Sequence, residues 1–271
     1  MLHTAAAHRV LSADPVMAKL IEKAVRYEPD ERLRQTPFEV LARAIAHQQL
    51  HANAARNILA RFVALFEGGL FPLPQHVIDT DHDRLRAVGF SGSKVAALKD
   101  LAAKALLGVV PEREALDALS DEEIIERLTQ VRGIGRWTVE MMLMFQLQRP
   151  DVLPVDDFGV RQGFQFAYGL KGMPTPKALA AFGERWKPYR SIAAWYLWRA
   201  VDLHKQNLLE PCKSPPRVKL QQRPKKKAAK KALRKAAKKV VKTAAKKAAK
   251  KPAKRAGRPP RKRSRTPRRR A

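Results

Sequence analysis

Leu128-Thr-Gln-Val-Arg-Gly-Ile-Gly-Arg-Trp-Thr-Val-Glu140 joins two helical patterns through two glycines set two residues apart. Glycine reaches positive φ without a Cβ clash, so Gly133 and Gly135 permit a sharp turn and a close approach of backbone to an outside group. Ile134 between them is placed to point inward and pin the turn to its helices. The N–H groups of Gly133, Gly135, Arg136 and the rest of the next helix's first turn lack helical acceptors, which makes them a ready clamp for a phosphate. A glycine-rich turn with no ligand is the plainer alternative, and the GxG pattern alone does not decide between them.

Working outward, Ser120-Asp-Glu-Glu123 is a capping box that opens the upstream helix IIERLTQV. Downstream, WTVEMMLMFQL reads as a helix. A loop containing Pro150 and Pro154 then leads through Asp156-Asp157 to the helix FGVRQGFQFAYGL. Ser12-Ala-Asp-Pro15 and Thr36-Pro37 are helix starts, a capping side chain followed by a proline whose missing N–H does no harm. The second opens one long pattern, FEVLARAIAHQQLHANAARNILARFVALF, with Val40, Leu41, Ala44, Ile45, Ile58, Leu59, Phe62 and Val63 at helical spacing. Segments 82–90 and 93–107 read as short helices stopped by Gly89 and Gly108. After Pro174 and Pro176 come ALAAFGERW and RSIAAWYLWRAVDLHKQ. No window of strand-like alternation stands out, so the spacing predicts an all-α domain of nine or ten helices.

The chain of 271 residues carries 55 Lys+Arg against 25 Asp+Glu, but Glu210 is its last acidic residue. Beyond it lie 28 basic residues and no acidic one, leaving 27 basic against 25 acidic before it. The net charge of +30 is therefore mostly a property of the C-terminal part. This charge step places a folded domain at 1–210 and a disordered Lys/Arg/Ala/Pro-rich tail at 211–271. Like charges repel in the tail, and its apolar residues are mostly Ala. The AAKKA-type repeat between 228 and 251 offers no apolar face to stack, so it is low-complexity sequence rather than solenoid.

A lone Cys212 excludes an internal disulfide, a four-cysteine zinc site and a four-cysteine iron–sulfur cluster. No His/Cys/Asp/Glu grouping has metal-ligand spacing, and no cofactor is expected. No apolar run approaches the roughly 20 residues of a membrane span. The N-terminus has no apolar stretch like that of a secretory signal. The expectation is an intracellular, reducing compartment and no membrane partner.

The hairpin LxxVxGIGxWT resembles that of the helix-hairpin-helix DNA glycosylase superfamily. Trp137 after GIGR and Pro-Val-Asp-Asp at 154–157 resemble its 3-methyladenine DNA glycosylase II branch. So do AIAHQQLHANAA at 44–55, WKPYRS at 186–191 and WYLW at 195–198. The resemblance spans roughly residues 12–205. Longer bacterial members carry an N-terminal β-rich domain that is not seen before these helices, so the chain looks like a compact form of the family. Residues 213–271 resemble the tail of linker histones.

The resemblance implies two helical lobes around a base-binding cleft, with Asp157 as the catalytic carboxylate. Cleaving an N-glycosidic bond passes through a sugar of oxocarbenium character, which a nearby carboxylate stabilises while it orients or deprotonates water. An alkylated purine is already cationic, so a second, protonating carboxylate is unnecessary. Asp157 or Asp156 acting only as a helix cap is the alternative, and Asp156 keeps the capping role. Trp137 and Trp198 match aromatic pocket positions, where an indole face holds an electron-deficient flipped base. Met141 stands where longer members have a tyrosine and is a soft wall for the pocket. Trp186 and Trp195 are assigned to the core.

Gly133, Ile134, Gly135 and Arg136 are the implied grip on the DNA backbone. Gln48, Gln49 and Leu50 are candidates for the wedge that fills the stack when a base leaves it. His47 and His51 are read as surface or capping residues. Members that also cut the strand have a lysine where Trp137 stands, and an indole cannot form a Schiff base. The implied enzyme is a monofunctional DNA glycosylase that acts on alkylated purines in double-stranded DNA and leaves an abasic site. It works as a monomer in the cytoplasm on the nucleoid, or in the nucleus of a eukaryote, with its tail on nucleic acid of any sequence. A non-catalytic nucleoid or chromatin protein using hairpin and tail is the competing class. A glycosylase for oxidised bases or mismatches is disfavoured by Trp137.

Overall fold

A computed structural model describes residues 4–25, 27–28, 35–210 and 212–221. The expectations for the tail beyond Gln221 lie outside the described residues. The described part is helical, with thirteen α-helices rather than nine or ten. Local chemistry sets many of their starts. Asp14 accepts from the Val16 N–H at 3.0 Å and opens α2 (Pro15–Lys23), with Pro15 at the first helical position. Thr36 caps α3 (Pro37–His47) in the same way. The Ser120–Glu123 capping box opens α9 (Asp121–Leu128) with both reciprocal bonds present.

The long pattern after Thr36 does not form one helix. It breaks at Gln48–His51, where Gln49 has φ of 56°, and resumes as α4 (Ala52–Val63). Helical spacing continues through the break because both halves bury apolar faces in the same core. Three further helices lie outside the sequence signals above: α1 (Thr4–Leu11), α5 (Pro74–Asp79) and α8 (Arg113–Asp117), the last two too short for a periodic pattern to register.

The helices form two groups by their contacts. In the middle group α3 packs on α4, α7 (Gly92–Leu106) and α10 (Arg136–Phe145), while α7 also covers α5 and α6 (His82–Ala87) and α9 lies on α10. Its centre is an aromatic cluster, with Phe62 meeting Phe66, Phe71 and Phe90 edge-on at 5.4–5.8 Å between ring centroids. In the terminal group α13 (Arg190–Lys205) packs on α2 and on α11 (Phe158–Ala167), and α1 lies on α2. There Phe164, Tyr168, Phe182 from α12 (Pro176–Gly183), and the fully buried Trp186 form a second cluster. Each group so has an aromatic centre of its own, which accounts for two lobes within one folded unit.

The α10–α11 loop is stitched to both lobes. Arg149 donates to the carbonyls of Leu116 and Leu119 in the middle lobe at 3.0 and 2.9 Å. On the terminal side, Arg190 forks onto Asp151 at 2.7 and 2.9 Å, and Ser191 Oγ both donates to the Arg149 carbonyl and accepts from the Val152 N–H. This loop delivers Asp156 and Asp157 to the start of α11.

The folded unit runs past the charge step at Glu210. Residues 212–221 return to the domain: Cys212 N–H donates to the Ala167 carbonyl, Thr175 N–H to Lys219, and Gln221 N–H to Met173. Residues 212–221, assigned to the tail by charge, therefore belong by packing to the domain. No helix among the described residues is long and apolar enough to cross a membrane. No group of His, Cys, Asp or Glu among them is placed to hold a metal ion.

Candidate active site

The hairpin is built as a turn that spends some of its amides and leaves others open. Gly133 takes φ of 81°, where a side chain would be strained. Gly135 needs no such freedom, since it sits at φ −104° as the N-cap of α10. Ile134 is 5% exposed and its N–H donates to the Val131 carbonyl at 3.0 Å, so it anchors the hairpin rather than presenting an amide outward. The Arg132 N–H goes to Asp100 at 2.7 Å. Burial pushes the Asp100 carboxyl up, but that N–H and the Lys104 ammonium outweigh it and hold it below the usual carboxylate range. The N–H groups of Gly133, Gly135, Arg136 and Trp137 have no acceptor among the described residues.

Arg136 is divided between two tasks. Its backbone N–H is one of the open amides, but its guanidinium forks onto Glu122 at 2.8 and 2.9 Å and reaches Glu140 at 3.1 Å. The side chain ties α10 to α9 and is not directed at an external phosphate. Those Glu122 bonds raise the guanidinium pKa and lower that of the Glu122 carboxyl. Glu140, only 6% exposed, is pushed up by burial, with Arg136 offsetting part of the shift. Gln48 Nε2 donates to the Gly133 carbonyl at 2.8 Å and joins the α3–α4 break to the hairpin. Gln49 and Leu50 are exposed at that break, Leu50 by 40%.

Asp157 is the N-cap of α11. Its Oδ1 accepts from the Val160 N–H at 2.7 Å and from the Trp198 indole N–H at 2.8 Å, and its Oδ2 accepts from the Trp137 indole N–H at 2.8 Å. The capping role assigned to Asp156 belongs instead to Asp157, and Asp156 is exposed. Trp198 comes from α13 and Trp137 from the first turn of α10, so the Trp137–Asp157 bond crosses between the lobes. Three donors on three helices hold one carboxylate in a single orientation.

The surroundings are open and aromatic. Trp137 is 50% exposed, Phe158 63% and Phe145 39%, and Phe145 stacks on Trp198 at 5.8 Å with an interplanar angle of 26°. Met141, one turn after Trp137, is half-buried against the core. Trp186 is fully buried, and Trp195 is half-buried against the hydrophobic core. Gly159 makes room for the arrangement: a Cβ there would lie 2.8 Å from Trp198 Cδ1 and 2.9 Å from its Nε1. Phe145, Phe158 and Gly159 were not singled out in the sequence. An exposed aromatic immediately after Asp157 was the available signal for Phe158, whereas Phe145 and Gly159 matter only through their contact with Trp198.

Comparison with known proteins fits this geometry. Residues 42–188, more than half the chain, match the family model described as HhH-GPD superfamily base excision DNA repair protein. The chain is 42% identical over 186 residues to the DNA-3-methyladenine glycosylase 1 of Schizosaccharomyces pombe, covering 68% of this chain and 82% of that protein. A solved structure of a 3-methyladenine DNA glycosylase from that yeast in complex with abasic DNA aligns with a TM-score of 0.65, at 42% identity over 71% of this chain and 95% of that one. A DNA-3-methyladenine glycosidase from Bacillus halodurans aligns with a TM-score of 0.66, at 31% identity over 73% of this chain and 89% of that one. The hairpin, the two helical lobes and these matches together make the chain a member of the HhH-GPD superfamily of base excision DNA repair proteins.

Proposed function

We propose that the protein is a monofunctional DNA glycosylase that removes alkylated purines, of the 3-methyladenine and 7-methylguanine type, and leaves an abasic site. The observation that carries this reading is the Asp157 carboxylate, fixed by two indole N–H groups and one backbone N–H at the mouth of an aromatic, solvent-open region. A DNA-binding protein without chemistry has no need for such a held carboxylate. The names borne by its relatives support the same substrate class.

In this mechanism the open amides of the hairpin hold the phosphate backbone. Gln49 and Leu50 fill the space the base vacates. Gln48 positions the hairpin through Gly133. The flipped base lies among Trp137, Trp198 and Met141, where an electron-deficient purine gains about 0.5–2 kcal/mol of cation–π attraction from an indole face. As the glycosidic bond lengthens, Asp157 stabilises positive charge on the sugar and directs water to it. The alkylated purine, already cationic while attached, takes the bonding electron pair and departs as a neutral base, so no acid is needed to protonate it. Trp137 stands where a strand-cutting relative has its lysine, so no Schiff base forms and the backbone is left intact.

The reading carries with it a monomeric enzyme on the nucleoid or in the nucleus. Its basic residues beyond Glu210 add salt-sensitive attraction to DNA of any sequence. Incubating the protein with methylated duplex tests it: free 3-methyladenine and alkali-labile sites are expected, with no strand breaks before alkali. Absence of base release would favour the architectural DNA-binding protein, and breaks before alkali would refute the monofunctional mechanism.

A further inference from the structure

Residues 212–221 are the part of the chain that charge alone misassigned, and their packing is specific. From Pro216 to Gln221 the side chains alternate: Pro216, Val218 and Leu220 are half-buried, while Arg217, Lys219 and Gln221 are exposed. Such period-two alternation is that of an extended segment with one face on a core. Val218 packs on the core, and Leu220 forms an antiparallel bridge with Pro174. Backbone bonds at 2.9 Å (Thr175 to Lys219) and 2.7 Å (Gln221 to Met173) complete the dock.

The segment also has a direction. It touches α11 first at Cys212, whose N–H meets the carbonyl of Ala167 at that helix's C-terminal end. It touches α11 last through Gln221 Oε1, which accepts from Arg161 at 2.6 Å. Arg161 also forks onto the Pro174 carbonyl at 3.1 and 2.7 Å, so one guanidinium clamps both the bridge strand and its partner. The strap thus travels back along the helix that begins with Asp157. Arg161 lies four residues from Asp157, roughly 6 Å along the helix axis. Even with the Arg161 and Gln221 side chains meeting end to end, the strap ends well within the ~34 Å length of one duplex turn from the carboxylate.

We infer that residues 212–221 are an anchoring strap that roots the basic tail beside α11, so that the tail's first cations grip the same DNA duplex within about one helical turn of the base being removed. The inference rests on the glycosylase reading, and adds to it where the 25 basic residues beyond Gln221 must start. Arg217 and Lys219, exposed on the strap, begin this cationic track on the domain itself. The ten residues after Gln221 reach at most about 35 Å even fully extended. A tail rooted this way works in cis on the bound site, adding phosphate contacts where the enzyme is already engaged.

The test uses the full chain with Cys212→Ser and Gln222→Cys, carrying an iron chelate on the new thiol, bound to a duplex with a single uncleavable abasic-site analogue. Radical cuts are expected to cluster within about 10 base pairs, one turn, of the analogue, with a nuclease footprint over the analogue itself. Adding Arg161→Ala is expected to spread those cuts while leaving the footprint in place. A footprint at the analogue with cuts scattered evenly along the duplex overturns the strap's role alone. No footprint at the analogue overturns the lesion-binding reading, and the inference with it.

Discussion

The helices α10 and α11 begin close together, and their first turns are finished in opposite ways. At α10 the cap is Gly135, with no side chain to offer, and the amides of Arg136 and Trp137 stay without acceptors among the described residues. At α11 the cap is Asp157, whose own carboxylate takes the Val160 N–H and then two indoles. One helix end has open amides and no anion of its own; the other carries its anion with it. In the proposed function the difference separates two tasks, holding a phosphate and facing a sugar cation, and the Trp137–Asp157 bond links the two helix ends.

The largest effect is expected where the built-in anion is lost. Asn caps a helix about as well as Asp, so Asp157→Asn keeps α11 and DNA binding while base release falls about 10³-fold, in the range for a positioned acid–base group. Single-turnover release beside binding to abasic-analogue DNA measures both; equal losses in the two would erase the division of labour. Gly159→Ala follows, because the new Cβ drives into the Trp198 indole. A displacement near 1 Å at a reacting group costs on the order of 10²-fold, read as slower release at unchanged binding.

On the other side, Gly133→Ala puts a side chain at φ of 81°, which costs roughly 1–2 kcal/mol. It is expected to lower the melting temperature and weaken DNA binding about tenfold, with release from bound DNA little altered. The smallest effect concerns the buried Glu140 behind the hairpin. Burial raises its pKa, so the fold holds that proton more tightly than the unfolded chain does. The stability tied to its neutral form is present at acid pH and lost as pH rises through the raised value. Glu140→Gln, a neutral stand-in, should therefore match the parent in melting temperature at acid pH and exceed it progressively as pH rises above the ordinary carboxylate range.

What the sequence disclosed was local. Caps at Thr36, Asp14 and Ser120, the hairpin glycines and the Asp157 position are each written within four residues of their structural effect. The break between α3 and α4 was hidden because Gln49 adopts its positive φ without being glycine. The fate of the Arg136 guanidinium depends on Glu122, fourteen residues away, and no spacing rule pairs them. The strap was masked by its cations: three basic residues in ten outweighed a six-residue alternation of Pro216, Val218 and Leu220. The indole N–H bonds to Asp157 were also invisible, since the tryptophans were chosen for their faces and the structure directs their N–H edges to the carboxylate.

Replacing Asp157 with glycine tests the whole account at its centre. Glycine is a tolerable N-cap, costing only a few tenths of a kcal/mol. It leaves the Trp137, Trp198 and Val160 N–H groups facing an empty carboxylate-sized space. The account predicts that Asp157→Gly binds abasic-analogue DNA normally, releases 3-methyladenine at least about 10²-fold more slowly, and recovers release in a saturable manner when formate is added. Release by Asp157→Gly at the parent rate, with or without formate, would contradict it.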